Sequence, residues 1–160
     1  MAVRIRKSVW SLPQGDPVIT WYRKAVETLI AKPRTDPTSW VYMAFVHGVP
    51  PGQQKPTPTN GFWDQCQHQS WFFLSWHRGY VTAFEAVIAK TIADLGGPQD
   101  WALPYWNYSE SLATNPNARL MPPDFSSKPS TASRTRCGRN APTSPTAISA
   151  STIRWSRWMP

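Results

Sequence analysis

Residues 66–80 read C-Q-H-Q-S-W-F-F-L-S-W-H-R-G-Y, and the spacing of the histidines in this stretch is the most informative feature of the chain. It holds two of the three histidines of the 160-residue chain, His68 and His77, and the third is His47. Three neutral imidazoles are a ligand set that holds copper or zinc while leaving a coordination position open. The histidine count therefore allows one such metal site and leaves no ligands for a second of the same kind.

The hydrophobic periodicity predicts two helices before this stretch. The first begins at Asp16-Pro17, a capping carboxylate followed by proline at the first helical position, and runs to about Lys32. The second is predicted to begin at Asp36-Pro37-Thr38 and to end at Gly48. His47 would then lie at the C-terminal end of that helix.

A third helix is predicted from about Trp71 to Leu95, where Gly96-Gly97-Pro98 ends it. His77 lies on the apolar face of this helix. The face consists of His77, Tyr80, Val81, Phe84, Ile88, Ile92 and Leu95. The segment from Val49 to Asn60 is predicted to be a loop. Trp101–Tyr108 has no helical period and is predicted to pack as an extended stretch beneath the helices.

The net charge of +8 belongs to the C-terminal part of the chain. Residues 1–125 hold 11 Lys/Arg against 9 Asp/Glu, whereas residues 126–160 hold six basic and no acidic residues. This Ser/Pro/Arg-rich tail has no apolar period, so we predict that it is disordered. We therefore expect a folded domain over 1–125 and, at 126–160, a frameshifted or truncated tail.

The composition excludes several classes of protein. A nucleic-acid-binding module is not expected, because the basic tail lacks a folded scaffold and the body carries only +2. No membrane association is expected, because no run of about 18 apolar residues is present. The start shows no signal peptide, so a cytoplasmic protein is expected, with partner-assisted export left open. Two cysteines, Cys66 and Cys137, do not indicate a disulfide framework.

Each histidine also has a structural interpretation of its own. His47 could interact with the dipole at a helix end, His77 could be a buried core histidine, and His68 could be a simple loop residue. The metal site is favoured because all three lie in aromatic-rich segments that would meet in one helical bundle.

The pattern C-x-H-x(8)-H, continued as F-L-S-W-H-R-G-Y-x(3)-F-E over 66–85, resembles the first copper half-site of tyrosinases and catechol oxidases, the type 3 copper proteins. S-W-V-Y-M-A-F-V-H-G at 39–48 resembles the helix with the family's first ligand, and L-P-Y-W-N-Y at 103–108 resembles its Y-W segment. The resemblance covers about 3–125, and Ser75 stands where many members have proline. It implies an all-α fold, an incomplete type 3 copper helical bundle with a disordered basic tail.

The resemblance also implies roles for individual residues. It makes one copper ion per chain the cofactor, with three ligands: His47, His68 and His77. Cys66 matches the cysteine that forms a thioether to the second ligand's ring in part of the family, and a free, partly buried thiol is the alternative. Arg78 is expected on the outer side of its helix, and Glu85 in a buried or inter-helix polar contact.

Members of the family oxidise monophenols or o-diphenols to o-quinones with O2, using two coppers held by three histidines each. A phenolic substrate and O2 are therefore implied, and a copper-delivery partner is left open. No histidine follows Phe125, so the second half-site with its H-x-x-x-H is missing. We expect the N-terminal half of a tyrosinase-like oxidoreductase, poor or inactive as a lone chain. The alternatives are a non-catalytic mononuclear copper or zinc protein and a homodimer that pairs two single-copper sites.

Overall fold

A computed structural model describes residues 4–55 and 62–126. A 3₁₀ turn at Val9–Ser11 precedes four helices: α1 (Pro17–Ala31), α2 (Trp40–His47), α3 (Phe73–Asp94) and α4 (Pro123–Ser126). The described residues form no strand, and one isolated parallel bridge pairs Ser8 with Tyr105. The predicted all-α fold class is confirmed. The predicted tail from residue 127 onward and part of the predicted loop lie outside the described residues, so those predictions remain predictions.

The first two helices begin at side-chain caps. The Asp16 carboxylate accepts a hydrogen bond from the Val18 N–H at 2.8 Å, as the Asp-Pro start predicts. The predicted start of α2 at Asp36 was early, because Asp36 instead closes a turn on the N–H and hydroxyl of Thr38. The cap of α2 is the buried Ser39, whose hydroxyl accepts from the Tyr42 N–H at 3.1 Å.

Two glycines end α3. The Gly97 N–H donates to the Ile92 carbonyl at 2.8 Å and the Gly96 N–H to the Ala93 carbonyl at 3.0 Å, which is the Schellman pattern. Gly96 takes the left-handed conformation that this motif requires, with φ of +80°. A Cβ on Gly97 would lie 2.5 Å from the Ile92 side chain and 2.9 Å from that of Trp21. The predicted end of α3 is therefore confirmed. Gly96 is required by its backbone conformation, and Gly97 by the lack of space for a side chain.

The core lies where α1 packs against α2 and the C-terminal half of α3. Its buried members are Ala25, Leu29, Met43, Ile88, Ala89, Ile92 and Trp101. The predicted apolar face of α3 is buried at Ile88 and Ile92, but Leu95 is exposed because the helix has ended before it. Trp71, Phe72 and Leu74 at the other end of α3 are also exposed. No helix in the described part is long and apolar enough to cross a membrane.

The segment from Trp101 to Tyr108 is not helical, as predicted, and its first residues are buried. The Trp101 indole N–H donates to the Val18 carbonyl at 3.0 Å, and its ring stacks on Tyr22 at 5.9 Å. The end of the segment departs from the prediction, because Tyr105 and Tyr108 are exposed.

The predicted polar contact of Glu85 is present, although it does not join two helices. Its carboxylate accepts from the Leu103 N–H at 2.7 Å and from the guanidinium of Arg6. Glu85 therefore connects α3 to two non-helical segments: the one that contains Arg6, before α3 in the sequence, and the one that contains Leu103, after it. Arg78 is exposed, in agreement with the prediction.

Candidate metal centre

The C-terminal end of α2 is bonded to the segment 64–66, which positions Cys66 beside His47. The carbonyls of Phe45, Val46 and His47 accept from the backbone N–H groups of residues 64, 65 and 66 at 3.1, 2.9 and 3.2 Å. The Gly48 N–H donates a hydrogen bond to the Ala44 carbonyl at 2.9 Å. All four terminal carbonyls of the helix are thereby satisfied, so this contact is part of the folding of α2.

Trp63 and Asp64 hold that segment in place. The Trp63 ring is buried against Tyr42 and Phe45, at centroid distances of 4.6 and 6.3 Å. Asp64 has a φ of +58°, and its carboxylate accepts from the Val49 N–H at 2.6 Å. Asp and Asn adopt this left-handed conformation more often than most other residues.

His77 is oriented by its own helix. Its Nδ1 lies 2.7 Å from the carbonyl of Phe73, one turn earlier. A carbonyl can only accept, so Nδ1 carries the proton and Nε2 keeps its lone pair. The same arrangement fixes the tautomer of metal-binding histidines in general.

Tyr80 links α3 to α2 through a hydrogen bond. Its hydroxyl donates to the Met43 carbonyl at 2.8 Å, one turn before His47. The Tyr80 ring stacks on Trp76, and both rings contact His47, at centroid distances of 5.5 and 5.7 Å. The His47 imidazole is therefore held between the helices.

Two imidazole nitrogens and one sulfur converge at this place. His47 Nε2 lies 3.3 Å from His77 Nε2, and Cys66 Sγ lies 3.1 Å from His77 Nε2. The ligand atoms of these three residues all lie within 4.8 Å of one another. Two imidazole nitrogens bound to one tetrahedral ion, with bonds of ~2.0 Å, lie about 3.3 Å apart. The separation of His47 and His77 thus suits a shared metal ion.

His68 lies at the exposed rim of the centre. Its Nε2 is 3.3 Å from Cys66 Sγ, and its ring is 6.1 Å from that of His47 and 5.9 Å from that of His77. The structure therefore brings the ligand atoms of His47, Cys66 and His77 together, and His68 lies next to this group, against Cys66. Ligation by His47, His68 and His77, and the thioether at Cys66, remain predictions.

Sequence reasoning missed the supports of the centre. The Phe73 carbonyl could have been found, because it lies four residues before His77 and one turn away on the same helix. The pairing of the segment 64–66 with the end of α2 had no such signal, since the two are joined only through tertiary structure.

The electrostatics act in opposite directions on the donors of the centre. Burial lowers the pKa of His47, and the neighbouring His77 and His68 lower it further, so this imidazole is neutral at pH 7. Burial raises the pKa of the Cys66 thiol, so a cation that binds the sulfur has to displace its proton. Burial also raises the pKa of Tyr80 to about 12, so Tyr80 stays a hydrogen-bond donor.

Comparison of the chain with known proteins identifies its family. The model of the common central domain of tyrosinase matches residues 37–157, which include all four residues of the centre. The chain belongs to the tyrosinase family. Tyrosinase-family proteins are copper proteins, and intermediate-softness imidazoles that support both Cu(I) and Cu(II) fit that metal.

Several curated tyrosinase-family proteins are similar to the chain. Tyrosinase HcTyr1 of Hahella sp. (strain CCB-MM4) is 40% identical over 147 residues, covering 78% of this chain and 31% of that protein. Polyphenol oxidase of Vitis vinifera is 35% identical over 117 residues, covering 68% and 16%. Aureusidin synthase of Antirrhinum majus is 36% identical over 107 residues, covering 66% and 18%. The chain spans about a third or less of the length of these relatives.

Proposed function

We propose that this chain provides one copper half-site of a tyrosinase-type oxidoreductase, which oxidises monophenols or o-diphenols to o-quinones with O2. The observation that carries the proposal is the 3.3 Å separation of His47 Nε2 and His77 Nε2, with His68 beside them, inside the matched tyrosinase domain. The Hahella tyrosinase and the Vitis polyphenol oxidase support the reaction class by their names.

In this proposal His47, His68 and His77 hold one copper ion, which supplies the redox chemistry with O2 when bound. The Phe73 carbonyl keeps the His77 proton on Nδ1, and Trp76 and Tyr80 exclude water from the buried side of His47. The Phe73 ring lies 4.3 Å from the His77 ring and is partly exposed. It offers an aromatic wall on the open side, where a phenol would enter.

The number of histidines limits what the 160 residues do alone. Three histidines supply the ligands of one copper ion, and the two-copper chemistry of the family needs three more. We therefore propose that the lone chain binds one copper and oxidises catechols poorly. A phenolic substrate and O2 become its partners when a second histidine set is supplied.

The test measures copper content and catechol oxidation together. The chain is loaded with Cu(I) without oxygen, freed of unbound metal, and assayed for copper per chain, oligomeric state and oxidation of 4-methylcatechol. We expect one copper per chain and no turnover in the range of about 1–10³ s⁻¹ that is usual for enzymes. A chain that retains no copper would overturn the metal centre, and ordinary enzymatic turnover by a monomer would overturn the half-site proposal.

Oligomeric state and zinc binding separate the two alternatives. Oxidation that rises with protein concentration, together with a dimer, favours a homodimer that pairs two single-copper sites. In an added zinc titration, zinc bound as tightly as copper, without oxidation at any protein concentration, favours a non-catalytic mononuclear protein.

A further inference from the structure

We infer that the thiolate of Cys66 is itself a metal ligand: His47, Cys66 and His77 hold a thiophilic ion such as Zn²⁺ or Cu⁺, and His68, which lies against Cys66, closes the site as the fourth ligand. This inference rests on the same centre as the proposed function and adds a ligand to it. It differs from the thioether, in which the sulfur would be bonded to carbon.

The first support is the position of the sulfur. Cys66 Sγ lies 3.1 Å from His77 Nε2 and 3.3 Å from His68 Nε2, so it lies between two imidazole nitrogens that face it. On a tetrahedral ion with a metal–sulfur bond of ~2.3 Å and a metal–nitrogen bond of ~2.0 Å, sulfur and nitrogen lie about 3.5 Å apart. The observed separations are therefore within about 0.5 Å of those in a thiolate–imidazole site.

The second support is that backbone hydrogen bonds position Cys66 next to His47 without any bound metal. The Cys66 N–H donates to the carbonyl of His47 at 3.2 Å, at the end of a three-bond contact between the segment 64–66 and α2. A ligand already held by backbone hydrogen bonds loses little entropy when it binds, which favours the metal-bound state. Within the described residues, the two hydrogen-bond contacts of Sγ are both to imidazole nitrogens.

The third support is the chemistry of the donor set. Thiolate selects zinc and Cu(I) over harder ions, and three imidazoles complete a tetrahedral coordination shell. Four protein ligands leave no coordination position for O2 or a phenol. The thiolate-bound form would therefore retain metal without oxidising substrate, and the sulfur must withdraw for the open site of the proposed function to form.

The test uses Co²⁺ as a spectroscopic substitute for Zn²⁺ on the full chain, with Cys66→Ser compared with the wild type. A thiolate ligand gives an intense charge-transfer band in the near ultraviolet, which imidazoles alone do not give. We expect the band in the wild type and its loss in Cys66→Ser. We also expect zinc affinity to fall by more than the ~10–100-fold typical of changes next to a metal ligand. Cys137→Ser is the matched control and should keep both the band and the affinity.

A second measurement needs no variant. The wild-type chain is alkylated with iodoacetamide with and without Zn²⁺, and the two cysteines are quantified by peptide mass spectrometry. We expect Zn²⁺ to protect Cys66 at least tenfold and to leave Cys137 unchanged.

The outcomes separate this inference from the proposed function. Cobalt bound without the thiolate band, or Cys66 alkylated equally fast with zinc bound, would overturn the inference and leave the three-histidine copper site intact. Failure of the wild type to bind Co²⁺, Zn²⁺ and Cu⁺ would overturn both.

Discussion

His47 Nε2 and His77 Nε2 lie 3.3 Å apart, although 30 positions separate the two residues in the chain. One is the last residue of α2 and the other lies in the second turn of α3. Their approach depends on the Tyr80–Met43 hydrogen bond and on the segment 64–66, which is bonded to the end of α2. The geometry of the centre is therefore a property of helix packing, and it can be tested at the ligands and at their supports separately.

Replacing His77 by alanine should abolish the centre without unfolding the chain. His77 is only partly buried and contributes one of the two converging nitrogens, so the substitution mainly removes a candidate metal ligand. We expect copper affinity to fall by more than ~100-fold, beyond the ~10–100-fold seen when a supporting residue is removed. Competition with a Cu(I) chelator measures it.

The adjacent Arg78→Ala is the control for that experiment, because Arg78 is exposed and outside the centre. Its copper affinity should equal that of the wild type. If both variants lose copper equally, the loss comes from a disturbed helix and the ligand assignment is wrong.

Tyr80→Phe should lower stability while keeping the metal ligands. The substitution removes the 2.8 Å hydrogen bond to the Met43 carbonyl, which lies inside α2 and keeps its helical donor. Such a bond contributes about 0.5–1.5 kcal/mol net, so the urea midpoint should move down.

Tyr108→Phe serves as the comparison, because that side chain is exposed and should change the midpoint little. Equal midpoints for Tyr80→Phe and the wild type would show that this bond does not help to hold α2 against α3.

Glu85 should make the fold sensitive to acid. The hydrogen bond from Arg6 lowers the pKa of Glu85, the Leu103 N–H adds to this effect, and burial opposes it. A folded-state pKa below the unfolded one stabilises the fold above the unfolded value of about 4.3, and this stabilisation is lost as the pH falls through the folded pKa. Glu85→Gln should therefore cost about 1–3 kcal/mol at pH 7 and flatten the stability profile below about pH 4.3.

Glu27→Gln, at an exposed position of α1, is the matched change of charge. Urea unfolding of the three proteins between pH 3 and 7 makes the comparison. A Glu85→Gln profile parallel to that of the wild type would contradict the assigned role.

Two glycines should respond to alanine with opposite signs. Gly97→Ala places a Cβ 2.5 Å from Ile92 and 2.9 Å from Trp21, so we expect a loss of about 1–3 kcal/mol from overpacking. Gly79→Ala, inside α3 with nothing within 4 Å of the new Cβ, should stabilise the chain by about 0.5–1 kcal/mol. Thermal unfolding of the two variants checks the pair, and shifts of the same sign would refute the packing argument.

Local sequence rules predicted the helices well where one residue acts on its neighbours. Asp16-Pro17 begins α1 and Gly96-Gly97 ends α3, because a cap and a left-handed glycine act within one turn. The same rule misplaced the start of α2, since Asp36-Pro37 resembles Asp16-Pro17 but closes a separate turn before the Ser39 cap. The short helix α4 was not predicted. It is placed by tertiary contacts, the Arg23 guanidinium bonding to the Asp124 carbonyl and Phe125 packing edge-on against Tyr22.

Residue type and spacing were enough to predict the family and the helical class, because the motif and the helix periodicity are local properties of the chain. The three histidine ligands stay a prediction. How the candidate donors meet depends on tertiary structure. It placed Cys66 Sγ closer to His77 Nε2 than to the His68 imidazole two residues away in the sequence. The physical reason is that Cys66 is bonded through its backbone to the end of α2, while His77 follows the packing of α3. No spacing within one segment encodes a distance between two independently packed elements.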